Sequence, residues 1–153
     1  MDAHALPMDE LSDRTHRLVT ELCQRGDSLC EDGDYSAGVL EYRDALSLLP
    51  EPREQWEASA WIFTATGDAL FLAGDFEKAA TELSSALRCP GALGNPFVHL
   101  RLGQCHLEIG NREKAVDELT RAYMGGGKDV FDQEEAKYFA LVKSILREPK
   151  SGW

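Results

Sequence analysis

The sequence predicts an all-α protein, an α-solenoid of three helix–turn–helix repeats with an extended N-terminal helix and a C-terminal capping helix. Three observations carry this. Glycines recur at fixed offsets: Gly26 to Gly33, Gly67 to Gly74 and Gly103 to Gly110 are each 7 apart, and each second glycine is followed 12 residues later by Ala45, Ala86 or Ala122. Apolar residues keep a helical period along the chain, with no strand-like alternation. The 153 residues, 43% of them hydrophobic, suit one domain with a core of its own.

The elements follow in order. The periodicity predicts helices over about 9–32, 34–48, 52–73, 75–88, 96–109, 111–123 and 132–147. The first runs about two turns ahead of its repeat, with Leu11, Leu18 and Leu22 at roughly helical spacing. Gly26, Gly67 and Gly103 lie inside helices, where glycine costs about 1 kcal/mol against alanine. They therefore mark close approach of a neighbouring helix. Gly33, Gly74 and Gly110 end helices, and Asp34, Asp75 and Asn111 are positioned to cap the next ones. Tyr35 and Phe76 fill the hairpins, and Ala79 and Ala115 keep the contacts tight, with Gly38 doing so in the first repeat. The segment from Asp132 opens with a capping-box pattern and should cover the exposed end of the third repeat. The domain is expected over 9–147, between a flexible N-terminus (1–8) and a loose tail (148–153).

These repeats resemble the tetratricopeptide repeat, a 34-residue helix–turn–helix. The match covers about 19–52, 60–93 and 96–129, with surplus residues around Pro50-Glu51-Pro52 and Pro90 to Gly94. The resemblance implies a concave groove lined by the first helix of each repeat. Carried over, its facing positions are Thr20, Cys23, Asp27, Cys30 and Glu31 in the first repeat. The second gives Trp61, Thr64, Asp68, Phe71 and Leu72. The third gives Phe97, Leu100, Gln104, Leu107 and Glu108, with Arg101 nearby. Trp61, Phe71, Phe97 and Leu100 would make the middle apolar. The plainer reading packs Trp61 and Phe71 under the first or last helix, because aromatic stripes usually belong to a core.

Composition excludes several functions. The 27 acidic and 16 basic residues give a formal charge of −11. Nucleic acid and anionic membrane surfaces would be repelled. No run of 18 apolar residues could span a membrane, and the N-terminus lacks the pattern of a secretory signal, so the expected location is cytoplasmic. Cys23, Cys30, Cys89 and Cys105 form no C-x-x-C pair and read as free thiols in a reducing compartment. Gly125-Gly126-Gly127-Lys128 lacks the parts of a phosphate loop and reads as a flexible helix end. His99 and His106 stand two helical turns apart, too far to close one zinc shell. No metal, cofactor or catalytic set is expected, and the protein is read as a non-enzyme.

A protein partner remains, bound by a monomer or weak homodimer. Members of the family that grip a C-terminal carboxylate use Lys, Asn and Arg at groove positions, whereas this chain has Cys23, Asp27, Thr64 and Asp68 there. A carboxylate would meet repulsion. The stretches from Gly94 to Cys105 and from Arg121 to Phe131 resemble small bacterial repeat proteins, some similar to immunity proteins encoded beside secreted antibacterial toxins. That likeness implies a basic toxin domain as partner. Residues 9–52 hold 11 acidic residues against 4 arginines, a net −7, and would steer such a domain, while Trp61, Phe71 and Phe97 would anchor it. The alternatives are a type III-like secretion chaperone, small, acidic and three-repeat, which holds an apolar client segment in the groove, and a general adaptor.

Overall fold

The computed structural model describes residues 11–153, so the expected flexible stretch 1–8 and the start of the first predicted helix lie outside the described residues. Those described form seven α-helices: α1 (Asp13–Glu31), α2 (Tyr35–Ser47), α3 (Glu57–Leu72), α4 (Phe76–Leu87), α5 (Pro96–Glu108), α6 (Arg112–Gly126) and α7 (Ala136–Ile145). Three antiparallel pairs, α1/α2, α3/α4 and α5/α6, stack in chain order, and α7 closes the end.

The hairpins repeat one device. Gly33 has φ +86°, which a residue with a Cβ adopts only under strain. There its N–H donates to the Cys30 carbonyl, and the Asp34 N–H donates to the Leu29 carbonyl, which closes the helix end. The same two bonds recur at Gly74/Asp75 and Gly110/Asn111. The expected side-chain caps are only partly present. Asp34 accepts from the Ala37 N–H, but Asp75 and Asn111 make no such bond, and Asp75 instead faces Lys78 at 3.7 Å.

Within each pair the mid-helix glycine sets the separation. A Cβ on Gly26 would stand 2.6 Å from the Tyr42 ring, one on Gly67 2.5 Å from Leu83 Cγ, and one on Gly103 2.7 Å from Leu119 Cγ. Leu83, Leu119, Ala45, Ala79, Ala86, Ala115 and Ala122 are wholly buried against these contacts.

Four boundaries differ from the sequence reading by three residues or more: the first helix begins at Asp13, the sixth runs on to Gly126, and the third and last start late. The third helix was expected from residue 52 and begins at Glu57. Arg53–Gln55 form a 3₁₀ turn instead, and Trp56 turns inward, its indole N–H donating to the Pro50 carbonyl at 2.8 Å. Burying a large ring with its donor satisfied outweighs one more helical turn. The last helix was expected from 132 and begins at Ala136, after a 3₁₀ turn over Lys128–Phe131. Its capping box, Asp132 with Glu135, does not form, because the helix starts one residue after Glu135, which takes the N-cap place without a side-chain bond. The Gly125-Gly126 pair is no loose end either, since Pro96 lies within 3.1 Å of where their Cβ atoms would be. The tail expected to be loose returns to the fold, with Trp153 edge-on to Tyr123 and Phe139 at 5.7 and 5.8 Å.

One core runs through the first two repeats into α5. A second gathers Leu100, Leu119, Phe131, Tyr138, Leu141 and Val142 beneath α7.

Candidate functional site

Helix α3 carries the centre of the groove. Glu57, Trp61, Thr64 and Asp68 follow at intervals of four, three and four, so they share one face along about 16 Å of helix. Trp61 is 75% exposed. The plainer reading, which buried this ring under a neighbouring helix, is thereby overturned. Opposite stands Phe97 at the start of α5, 36% exposed, where Asn95 caps the helix by accepting from the Phe97 and Val98 N–H groups. Between them lies a cleft of about 430 Å³, floored by the buried Ala60 and Val98 and bounded by Pro90-Gly91-Ala92. A second cleft of about 780 Å³ lies on the other side of Trp61, between the starts of α1 and α3, lined by Leu11, Asp13, His16, Trp56 and Glu57 among others. Neither cleft has a Lys or Arg among its lining residues.

His99 fixes the loop that walls the first cleft. Its Nε2 accepts from the Gly94 N–H at 3.0 Å, so the ring proton sits on Nδ1 and is donated to Glu118 at 2.6 Å. The ring is buried and fully used. His106 lies on the other side of α5, its Nδ1 buried without a partner, and burial holds its pKa below the ordinary histidine value. Among the described residues no three His, Cys, Asp or Glu side chains gather where a metal could sit.

Beyond Phe97 the third-repeat part of the expected groove is closed. Leu100 is 1% exposed and belongs to the core under α7. Arg101 is 8% exposed: its Nε donates to Asp68 Oδ1 at 2.7 Å and its Nη1 to Glu134 and Gln104. Gln104, fully buried, also donates to Glu134 at 2.8 Å. The guanidinium lies between Phe71 and Phe97, 4.6 and 5.0 Å from the ring centroids. Glu108 accepts from Lys137 Nζ at 2.7 Å and from the Tyr138 hydroxyl at 2.8 Å, and the lysine partner pulls its carboxyl below the ordinary glutamate value. Leu100, Arg101, Gln104 and Glu108 were expected to face an open groove, and this expectation is corrected. The turn before α7 and the helix itself occupy that space.

The first repeat is more open. Thr20, Asp27 and Glu31 are exposed, and Cys23 and Cys30 half-buried. Thr20 and Thr64 spend their hydroxyls on the carbonyls of His16 and Ala60. Asp27 accepts from the Tyr42 hydroxyl at 2.7 Å, so it is partly committed to the fold. Phe71 packs edge-on to Phe76 at 5.6 Å, while Leu72 stays exposed at the end of α3.

Sequence reasoning missed Glu57 and Glu134. Glu57 stands one turn before Trp61 and walls both clefts, a placement that the i, i+4 spacing could have revealed. Nothing local marks Glu134, whose partners lie 30 and 33 residues away.

No protein-family model matches the sequence, and no curated protein resembles it. The fold is matched by solved structures. The Yersinia enterocolitica type III secretion chaperone SycD, in complex with a peptide of the translocator YopD, superposes with a TM-score of 0.67 at 16% identity, covering 90% of this chain and 96% of that one. PcrH from Pseudomonas aeruginosa gives 0.65 at 16% identity over 90% and 96%. The second TPR domain of human RPAP3, in complex with an HSP70 peptide, gives 0.65 at 13% identity over 88% and 99%. The chain thus has the tetratricopeptide-repeat fold.

Proposed function

We propose that this chain is a non-enzymatic protein-binding module that holds an extended, apolar segment of a partner protein in the cleft between α3 and α5. One observation carries the reading. Trp61 and Phe97 stand open on either side of a cleft in the middle of the groove, in a protein that elsewhere buries its aromatic rings or packs them together. An exposed indole beside an apolar floor is the kind of anchor around which interfaces concentrate their binding energy. Two of the fold's neighbours are described in complex with peptides, a YopD segment on SycD and an HSP70 peptide on RPAP3. The secretion-chaperone reading therefore takes precedence here over the toxin-immunity one. It comes with a reducing cytoplasmic location and a protein partner.

A ligand ending in a bare carboxylate is disfavoured. Arg101, the cation nearest the groove, is already shared by Asp68 and Glu134. A second reading, neutralisation of a folded basic toxin, is favoured by the exposed carboxylates Asp27, Glu31 and Asp32 at the end of α1.

Affinity capture from the native cytosol separates the two. The chaperone reading expects the captured protein to be lost with Trp61→Ala and one short linear segment of it to bind as well as the whole. A partner that binds only when folded, and is released by Asp27→Lys/Glu31→Lys but not by Trp61→Ala, would sink it in favour of the toxin reading.

A further inference from the structure

The groove already holds one cation, and how it holds it shows what a second would meet. Arg101 lies between two aromatic faces with carboxylates at its edges: Phe71 and Phe97 at 4.6 and 5.0 Å, Asp68 and Glu134 in hydrogen-bond contact. One formal positive charge is thus shared by two negative ones. Farther along the same face of α3 the same elements recur with the cation missing. Trp61 offers an exposed ring, and Glu57 lies one helical turn away on the same face. Both residues wall both clefts. Asp68 lines the first cleft and Asp13 the second, and neither cleft has a Lys or Arg lining it. Among the described residues Glu57 pairs with no Lys or Arg, whereas Glu41, Glu82 and Glu108 each do.

We infer that Trp61 and Glu57 form a subsite for an arginine side chain of the bound segment, flanked by apolar residues that enter the clefts on either side. This rests on reading the cleft as a peptide site and specifies which peptides it takes. The guanidinium is flat, stacks on an indole face and donates two parallel bonds to a carboxylate, so it uses both groups at once. Lysine can use either group only as a compact, more strongly hydrated charge, and binds less well. An acidic residue at that position meets Glu57, with Asp13 lining the same second cleft, and is rejected. Indole and carboxylate on successive turns of one rigid helix need no rearrangement to receive the side chain.

The test is selection of a random library of peptides about twelve residues long, able to span roughly 40 Å when extended, on the immobilised full chain. The selected peptides are expected to carry arginine beside apolar residues. Replacing that arginine by citrulline, which keeps the shape and removes the charge, should weaken binding at least about tenfold. Glu57→Gln should shrink the arginine–citrulline difference to less than about threefold while citrulline-peptide affinity stays constant, and Trp61→Ala should weaken both peptides. Glu57 is exposed, so these variants keep the fold, and circular dichroism verifies it. Trp61-dependent binders indifferent to citrulline, or a preference untouched by Glu57→Gln, overturn the subsite alone. A library with no Trp61-dependent binder overturns the peptide-site reading and the subsite with it. Sedimentation showing a dimer broken by Trp61→Ala places a second copy on the ring and overturns the subsite too.

Discussion

Single residues set the spacing of this fold. At Gly67 a methyl group would stand 2.5 Å from Leu83 Cγ and 2.8 Å from its Cδ2, and Leu83 is fully buried. Gly67→Ala would gain about 1 kcal/mol of helix propensity. It would also force α3 and α4 apart, at about 1–3 kcal/mol for overpacking. Because the fully buried Leu83 has no room to move, the cost falls at the upper end and the expected net is a loss of about 2 kcal/mol in urea unfolding; unchanged stability would mean that the helices part freely. The cysteines are decided at the same scale. Burial is the largest cause that pushes all four thiols up, Cys105 to about 12, and Asp27 adds to the rise at Cys23 and Cys30. The nucleophile is the thiolate, so at pH 7 each should react with a disulfide reagent more slowly than free cysteine, Cys105 most slowly of all. Unfolding in denaturant should release all four at the ordinary rate. A fast-reacting native thiol would contradict this.

Between elements, one side chain joins two helices and the turn before a third. Arg101 on α5 reaches Asp68 on α3 and Glu134 ahead of α7. Arg101→Met removes the shared cation and leaves two carboxylates facing each other beside Gln104. A loss of about 3 kcal/mol is expected, near the lower end for breaking a buried pair because Asp68 keeps some contact with water. Glu134→Gln keeps an acceptor for Arg101 and Gln104 and should cost less than about 1 kcal/mol. Equal losses from the two variants in urea melts would show that shape, not charge, carries the contact. This junction also marks the limit of what the sequence made legible. The helix pairs were readable because each is built from contacts within about 20 residues and leaves a glycine offset behind. Trp56 and Glu134 left none, since their partners are a backbone carbonyl in a connection and side chains of a distant helix. So the start of α3, the start of α7 and the closed end of the groove were misjudged together, and Leu100, Arg101, Gln104 and Glu108 with them. Trp61 and Phe97 were placed in the groove by repeat position alone.

The whole molecule carries a formal charge of −11, so acid has two opposed effects on it. Lowering the pH toward the isoelectric point near 4.7 relieves self-repulsion and favours the compact state. His106 acts the other way. Burial, with Lys114 nearby, depresses its folded pKa below 6.5, so from 6.5 down to that depressed value the unfolded chain binds more protons than the folded one. Stability from this group is complete above 6.5 and drains away as the pH falls through that window. Glu108 works lower still: its folded pKa is depressed by Lys137, so its contribution is present above about 4.5 and is lost below, as the pH falls through the folded value. Glu82 has the opposite sign, because burial raises its pKa and its protonation favours the folded state. The carboxylates are the same in the parent and in a His106 variant, so comparing the two isolates the imidazole. In His106→Gln the melting temperature should fall less, or rise more, than in the parent as the pH goes from 7 to 5.5, with the two proteins diverging most at the acid end. Parallel profiles from thermal melts at matched ionic strength would show that the imidazole reaches water as it protonates, and the unpartnered Nδ1 on α5 would then carry no cost.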